Sequence, residues 1–304
     1  RLAVRYGRLL VITAGGSDNR LRIDLDDDTV EFDLDGNAAT LALELTREMP
    51  PGINPEDAPA PLVTRLLATS GKIVVKIGDR EEKLEAPAGV EVSSGQVRVM
   101  APPPELPEWV DADGLGRIDR RASNTLGEEL SLDRPAGLVL QELVEGQRSG
   151  RRSEVRSLAA RCSIYVGRFE PFVEALNDAQ LKAAWRPQLI KALREALALG
   201  PDVAADVRRD FRKRRGNEAG DALFRMLWGY SPQDLEQGAD RELVDYLEHE
   251  QLDFRLLSLW NLVQITGLGQ NSRLEDPKEN RWQVARRWKK RFEDNQIVPK
   301  AQTP

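Results

Sequence analysis

The chain has 304 residues, with 44 Lys and Arg against 50 Asp and Glu, one His, one Cys and a net charge of -6. The acidic balance argues against nucleic acid or an anionic membrane as the main partner. A single Cys162 excludes an internal disulfide, and a single His249 excludes a His-based metal site built within one chain. No apolar run approaches the roughly 18 to 20 residues that span a bilayer, and no secretory signal pattern is present. Because the chain opens inside an alternating segment, Leu2-Ala-Val-Arg-Tyr6, a targeting signal or membrane anchor is expected upstream of Arg1.

Up to about Met100 apolar residues recur at every second position, as a half-buried strand requires. Leu21, Ile23 and Leu25 alternate, then Val30, Phe32 and Leu34, then Leu41, Leu43 and Leu45. The pattern resumes with Leu66 and Ala68, then Ile73, Val75 and Ile77, then Val90 and Val92, and last Val97 and Val99. Turn residues such as Asp35-Gly-Asn37, Ser70-Gly71 and Ser93-Ser-Gly95 separate the runs. Eight to ten short strands at this spacing predict an antiparallel β sandwich or roll over residues 1–100. Met49 to Pro61 is too rich in proline for a central strand and reads as a long surface loop. This half is acidic: residues 1–108 hold 12 Lys and Arg against 19 Asp and Glu, which leaves the remainder near neutral.

Asp24, Asp26 and Asp28 share the first spacings of a calcium loop and form the weak metal candidate of the chain. Against it, Thr29 stands where such a loop needs Gly, Asp35 stands where it needs a bidentate Glu, and the flanks alternate as strands. A solvated hairpin turn accounts for the same aspartates. Thr64-Arg-Leu-Leu-Ala-Thr-Ser-Gly-Lys-Ile-Val-Val-Lys76, followed by Lys83-Leu-Glu-Ala-Pro-Ala-Gly-Val-Glu91, resembles the strand, Ser-Gly turn, strand and Ala-Pro-x-Gly run of FecR-like β domains. That resemblance, which lacks the usual Gly-Thr-x-Phe strand, implies an extracytoplasmic module that passes envelope signals to sigma-factor machinery.

Ala101-Pro-Pro-Pro-Glu-Leu-Pro-Glu108 breaks the rhythm, and residues 101–117 read as a linker to an all-α region over 118–304. Asp119 to Leu126 and Leu138 to Val144 open that region. Ser153 is the expected cap of a helix over 154–166, with Val155, Leu158, Ala159 and Cys162 on one face and Gly167 as its left-handed terminator. Trp185, Trp228 and Trp260 fall on helical apolar patterns, and Ser231-Pro232 reads as a helix restart with Ser231 as cap. The run Arg212-Lys-Arg-Arg215 reads as a solvated helix end, where cations suit the helix dipole. Cys162 reads as an inert core thiol and His249 as a partly exposed residue without catalytic duty.

Phe172 to Leu181 aligns with Leu243 to Leu252, and Val155-Arg-Ser-Leu158 with Phe254-Arg-Leu-Leu257; such pairs must stack to bury their apolar faces. Val155-Arg156 to Gly167 and Pro171-Phe-Val-Glu-Ala-Leu-Asn-Asp178 resemble HEAT-like repeats, which implies a helical array. The end of the chain, from Leu252 to Gly267 with Arg281-Trp282 and Arg287-Trp288, resembles the closing unit of uncharacterised bacterial HEAT-like proteins. In the last helix Val284, Trp288 and Phe292 form an apolar stripe, and Arg286, Arg287, Lys289, Lys290 and Arg291 cover much of the rest. The amphipathic end of an array accounts for this pattern better than phosphate binding does.

With no nucleophile, metal or phosphate-loop signature, the chain is expected to be non-enzymatic and to need no cofactor. The expected function is an envelope-associated interaction or signal-regulatory protein, with a protein partner. The alternative is a carbohydrate-binding or carbohydrate-active protein using carboxylates of the β domain, with a glycan as ligand. The FecR-like resemblance implies an extracytoplasmic or periplasmic site, the cytoplasm staying open.

Overall fold

The structure, a computed structural model, describes residues 2–3, 7–13, 19–25, 28–93, 96–100, 108–110, 116–131, 133–146, 153–179, 186–268 and 278–299. The chain divides into two compact units: residues 1–48 with 60–116, and residues 49–59 with 117–304. The proline-rich excursion after Glu48 thus groups with the helices, although the sequence pattern places it as a loop of the β half.

Among the described residues the first unit is a single curled sheet of eight strands. These are β1 (Leu2–Ala3), β2 (Gly7–Ile12), β3 (Arg20–Leu25), β4 (Asp28–Arg47), β5 (Leu62–Ile77), β6 (Arg80–Glu85), β7 (Ala88–Ser93) and β8 (Gln96–Met100). Their order is β1-β3-β4-β5-β7-β8, with β2 beside β4 and β6 beside β5. All pairings are antiparallel except the short β1–β3 ladder.

Two turns expected from the sequence are instead bends inside long strands. β4 runs through Asp35-Gly-Asn37 and β5 through Ser70-Gly71, and the register between them shifts around Thr40. Buried positions on β4 change from 30, 32 and 34 to 41, 43 and 45, while those on β5 change from 66 and 68 to 73, 75 and 77. A bulge bends and twists a strand while its apolar side chains stay on one face, and that curls the sheet. Gly71 takes a left-handed φ of 72°, and a Cβ there would stand 2.8 Å from the Ala39 Cα. Only glycine fits both demands.

The second unit holds eleven helices among the described residues. They are α1 (Arg117–Leu130), α2 (Ala136–Glu145), α3 (Ser153–Ser163), α4 (Glu170–Leu176), α5 (Arg186–Leu197), α6 (Pro201–Arg215), α7 (Asn217–Leu227), α8 (Pro232–Glu236), α9 (Ala239–Tyr246), α10 (Leu252–Thr266) and α11 (Lys278–Glu293). Helix ends follow the expected chemistry. Ser231 and Asp234 form a reciprocal capping box at α8 with Pro232 in its first turn, and Gly167 closes the 3-10 extension of α3 in a left-handed conformation. The helices share one apolar core to which each of these eleven contributes.

Helix α10 is embedded: Leu252, Phe254, Leu257 and Leu262 are buried, but so are Asp253, Arg255, Ser258 and Asn261. Those polar groups are satisfied, as burial demands. Asn261 donates to the carbonyls of Met226 and Leu257, Ser258 donates to the carbonyl of Leu243, and Arg255 donates to the carbonyls of His249 and Glu250.

The sequence pattern reads 212–215 as a solvated helix end; the structure corrects this. Lys213 and Arg214 pair with Glu170, Arg212 bonds both oxygens of Asp221, and Arg215 is buried against Asp253 with the Val173 carbonyl as a further acceptor. The run ends α6, and carboxylates of α4, α7 and α10 take up its charge.

Candidate functional site

Of the calcium candidates, Asp24 lies in β3, where its carboxylate accepts a hydrogen bond from Thr29 Oγ1 at 3.2 Å and stands 3.9 Å from Arg22 Nε. Asp26 lies outside the described residues. Asp28 opens β4 opposite Leu25, and its side chain is likewise outside the description. Among the described residues no three His, Cys, Asp or Glu side chains gather as a metal ion would need. Cys162 is half-buried and its thiol is pushed up by that burial, with Arg161 opposing. His249 stacks on Phe254 at 4.0 Å and accepts the Gln251 N–H at Nδ1. Trp185 is not among the described residues. Trp228 meets Phe224 edge-on at 5.7 Å, and Trp260 lies under the Arg194 guanidinium at 4.8 Å. Arg194 donates to the Leu227 carbonyl and is pulled down to about 10 by burial alone.

Two hollows of the helical unit lie along α6. One hollow of about 440 Å³ lies between the corner Gly167–Glu170 and Arg209, Asp210 and Lys213; a second of about 540 Å³ continues past Arg208 and Arg212 to Glu56 and Asn217. Geometry explains the composition. Ala204, Val207 and Phe211 face the core, and Asp210 shares that inward stripe, so Arg208, Arg209, Arg212 and Lys213 rise at the surface beside it.

Most of the charges lining the hollows are paired within the chain. Asp221 receives Arg208 Nε at 2.8 Å and Arg212 at 2.6 and 2.7 Å, and these donors hold its carboxyl down to about 2. Glu56 receives Arg208 Nη1 at 2.8 Å. Glu170 is lowered, first by the Lys213 hydrogen bond. Asp210 moves the other way: burial raises its carboxyl, the charge of Glu170 adds to this, and Arg209 and the Phe169 N–H oppose it. A carboxyl pair pushed apart can serve acid–base chemistry. Here, however, Glu170 is already held by two cations of the chain itself.

Beside this charged floor stands an apolar corner. Tyr165 is 70% exposed, and Val166 and Leu138 are exposed as well. The two segments are neighbours: a Cβ on Gly137, next to Leu138, would lie 3.5 Å from Arg168 Cγ and 4.0 Å from Val166 Cγ2, and Gly167 and Arg168 line the first hollow. The sequence pattern gave no weight to this corner or to Asp210. The signals were there: Ile164-Tyr-Val166 ahead of Gly167 places three bulky apolar residues in succession, which one helical turn cannot all bury, and an Asp interrupts the apolar stripe of α6. No helix among the described residues is long and apolar enough to cross a membrane. Comparison with known proteins finds no matching family model, no matching curated protein and no matching solved structure.

Proposed function

We propose that the chain is a non-enzymatic, envelope-associated interaction or signal-regulatory protein, in which the curled sheet is a FecR-like module and the helices are a HEAT-like scaffold. In this reading the helical unit engages a protein partner at the corner formed by Leu138, Tyr165 and Val166. The observation that carries it is Tyr165, a large aromatic side chain left 70% exposed two residues ahead of Gly167, which lines a hollow where Lys213 and Arg214 already hold Glu170. Aromatic anchors ringed by polar groups are the usual centres of protein contacts, and covering such a side chain contributes about 1.5 to 3 kcal/mol. Paired ions suit the rim, because they fix orientation without needing a reacting substrate.

A photo-crosslinking residue placed at Tyr165 in host cells is expected to give one discrete protein adduct, lost when Leu138 and Val166 are changed to Asp. Turnover of an ester, phosphoester, peptide or glycoside that Asp210→Asn abolishes would overturn the reading in favour of an enzyme.

A further inference from the structure

We infer that the outer face of α11 is a docking surface for an extended acidic peptide segment of a partner protein, separate from the Tyr165 corner. The helix carries seven Lys or Arg against two Glu in a chain whose net charge is -6. Its inner face is committed: Ala285 and Trp288 are buried, Val284 and Phe292 pack against the core, Lys289 pairs with Glu248, and Arg291 lies over the Trp288 ring at 4.8 Å. The outer face holds Trp282, Arg286, Arg287 and Lys290. Trp282 is 44% exposed with the Arg286 guanidinium 5.4 Å from its ring. Arg286, Arg287 and Lys290 meet no carboxylate among the described residues, whereas the cations of α6 from Arg212 to Arg215 all do.

The sequence pattern marks an apolar stripe of Val284, Trp288 and Phe292, and not every aromatic residue of the helix joins it. Trp288 is buried; Trp282 is exposed. Trp282, Arg286 and Lys290 stand four residues apart, so the stripe advances about 6 Å per step. Alternate side chains of an extended strand advance by nearly the same distance, roughly 6.6 Å. An extended segment with carboxylates at every second position therefore matches the cations in register and can lay an apolar side chain on Trp282. A lipid surface fits less well, because the apolar face that would enter it is filled by the core. A long polyanion would also meet the field of the whole acidic chain, whereas a short peptide meets mainly the local one.

The test uses the full chain and a fluorescein-labelled dodecamer of alternating Glu and Ser, with a Lys–Ser dodecamer, phosphatidylserine vesicles and a 20-nucleotide single-stranded DNA as competitors for the assignment. Saturable binding of the Glu–Ser peptide at low salt is expected, weakening severalfold toward 0.5 M salt. Each of Arg286→Ala and Lys290→Ala should weaken it about two- to fivefold, and R286E with K290E should abolish it while circular dichroism and the thermal midpoint stay unchanged. Tyr165→Asp should leave it unaltered. Absence of saturable binding, indifference to the double reversal, or tighter binding of vesicles or DNA through the same two residues would each overturn the inference.

Discussion

The two units handle charge in opposite ways. In the sheet, ion pairs stand directly across the ladder on the wet face: Arg8 with Glu44, Arg22 with Glu31, Arg65 with Glu91, Lys72 with Glu85 and Lys76 with Glu81 are all register partners. The polar residues buried in the described part of that unit are the threonines Thr13 and Thr64. In the helical unit charge goes inside. Arg186, Asp210, Asp253 and Arg255 are buried, and Arg215 with a side chain 8% exposed meets Asp253 at 0%. A sheet with one dry face can keep every ion outside by alternation alone. Helices packed around a shared core cannot, and where polar groups are enclosed they need designated partners.

The difference can be broken by experiment. Asp253→Ala strips the partner from Arg215 in the interior and is expected to cost about 3 to 5 kcal/mol in urea unfolding; a loss under 1 kcal/mol would place that pair with the surface ones. Gly220→Ala comes next. Its Cβ would lie 2.6 Å from the Arg212 backbone where α7 crosses α6, so the helices must part, at about 1 to 3 kcal/mol by the same measurement.

Two carboxyls of the same region sharpen the point through pH. The Asp210 carboxyl is raised in the folded state from 3.8, so folding favours its protonated form and stability falls as pH rises above that value. Asp210→Asn should therefore be at least as stable as the parent at pH 7, with the gap closing below pH 4. Asp221 has the reverse sign: lowered from 3.8 to about 2, it contributes stability above the first value that is lost as pH falls toward the second. Asp221→Asn should flatten the acid limb of a thermal-midpoint profile between pH 4 and 2. The smallest effect belongs to the sheet. A double-mutant cycle on Arg8 and Glu44 should give a coupling of about 0.2 to 1 kcal/mol that vanishes in 1 M salt.

Alternation explains why the sheet was largely legible in the sequence. Ile23, Phe32, Leu43, Leu66, Val75 and Val90, all chosen by period two, are buried. What failed there was the meaning of the polar breaks. Asp35-Gly-Asn37 and Ser70-Gly71 carry turn chemistry, yet the ladder between their strands resumes beyond a register shift there, a pairing no local pattern encodes. Strand β6 was missed because Arg80-Glu-Glu-Lys-Leu-Glu85 offers a single apolar residue, enough for a strand with only one long neighbour.

Among the helices the caps at Ser231 and Gly167 and the stripe of Val284, Trp288 and Phe292 were readable because each depends on neighbours within one or two turns. The fate of Arg212–Arg215 was not, since its partners Glu170 and Asp253 lie far along the chain and Asp221 stands on a separate helix, beyond the reach of a pattern read within one helix. The apolar corner at Tyr165 escaped for a related reason. Period alone shows that a residue is surplus to one helix face, not what surrounds it.

The segment 49–59 sets a rule for dissecting the chain. Pro51 lies close to Gly229, a Cβ on Gly52 would press on Ser231 and Asp234, and Glu56 holds Arg208, so these eleven residues fold with helices encoded far downstream. Cutting the gene once near Gly116 would strand them on the wrong fragment, leaving Arg208 short of an acceptor and the α8 cap uncovered. Separate expression of the helices should therefore start from a permuted or grafted gene that carries this stretch along.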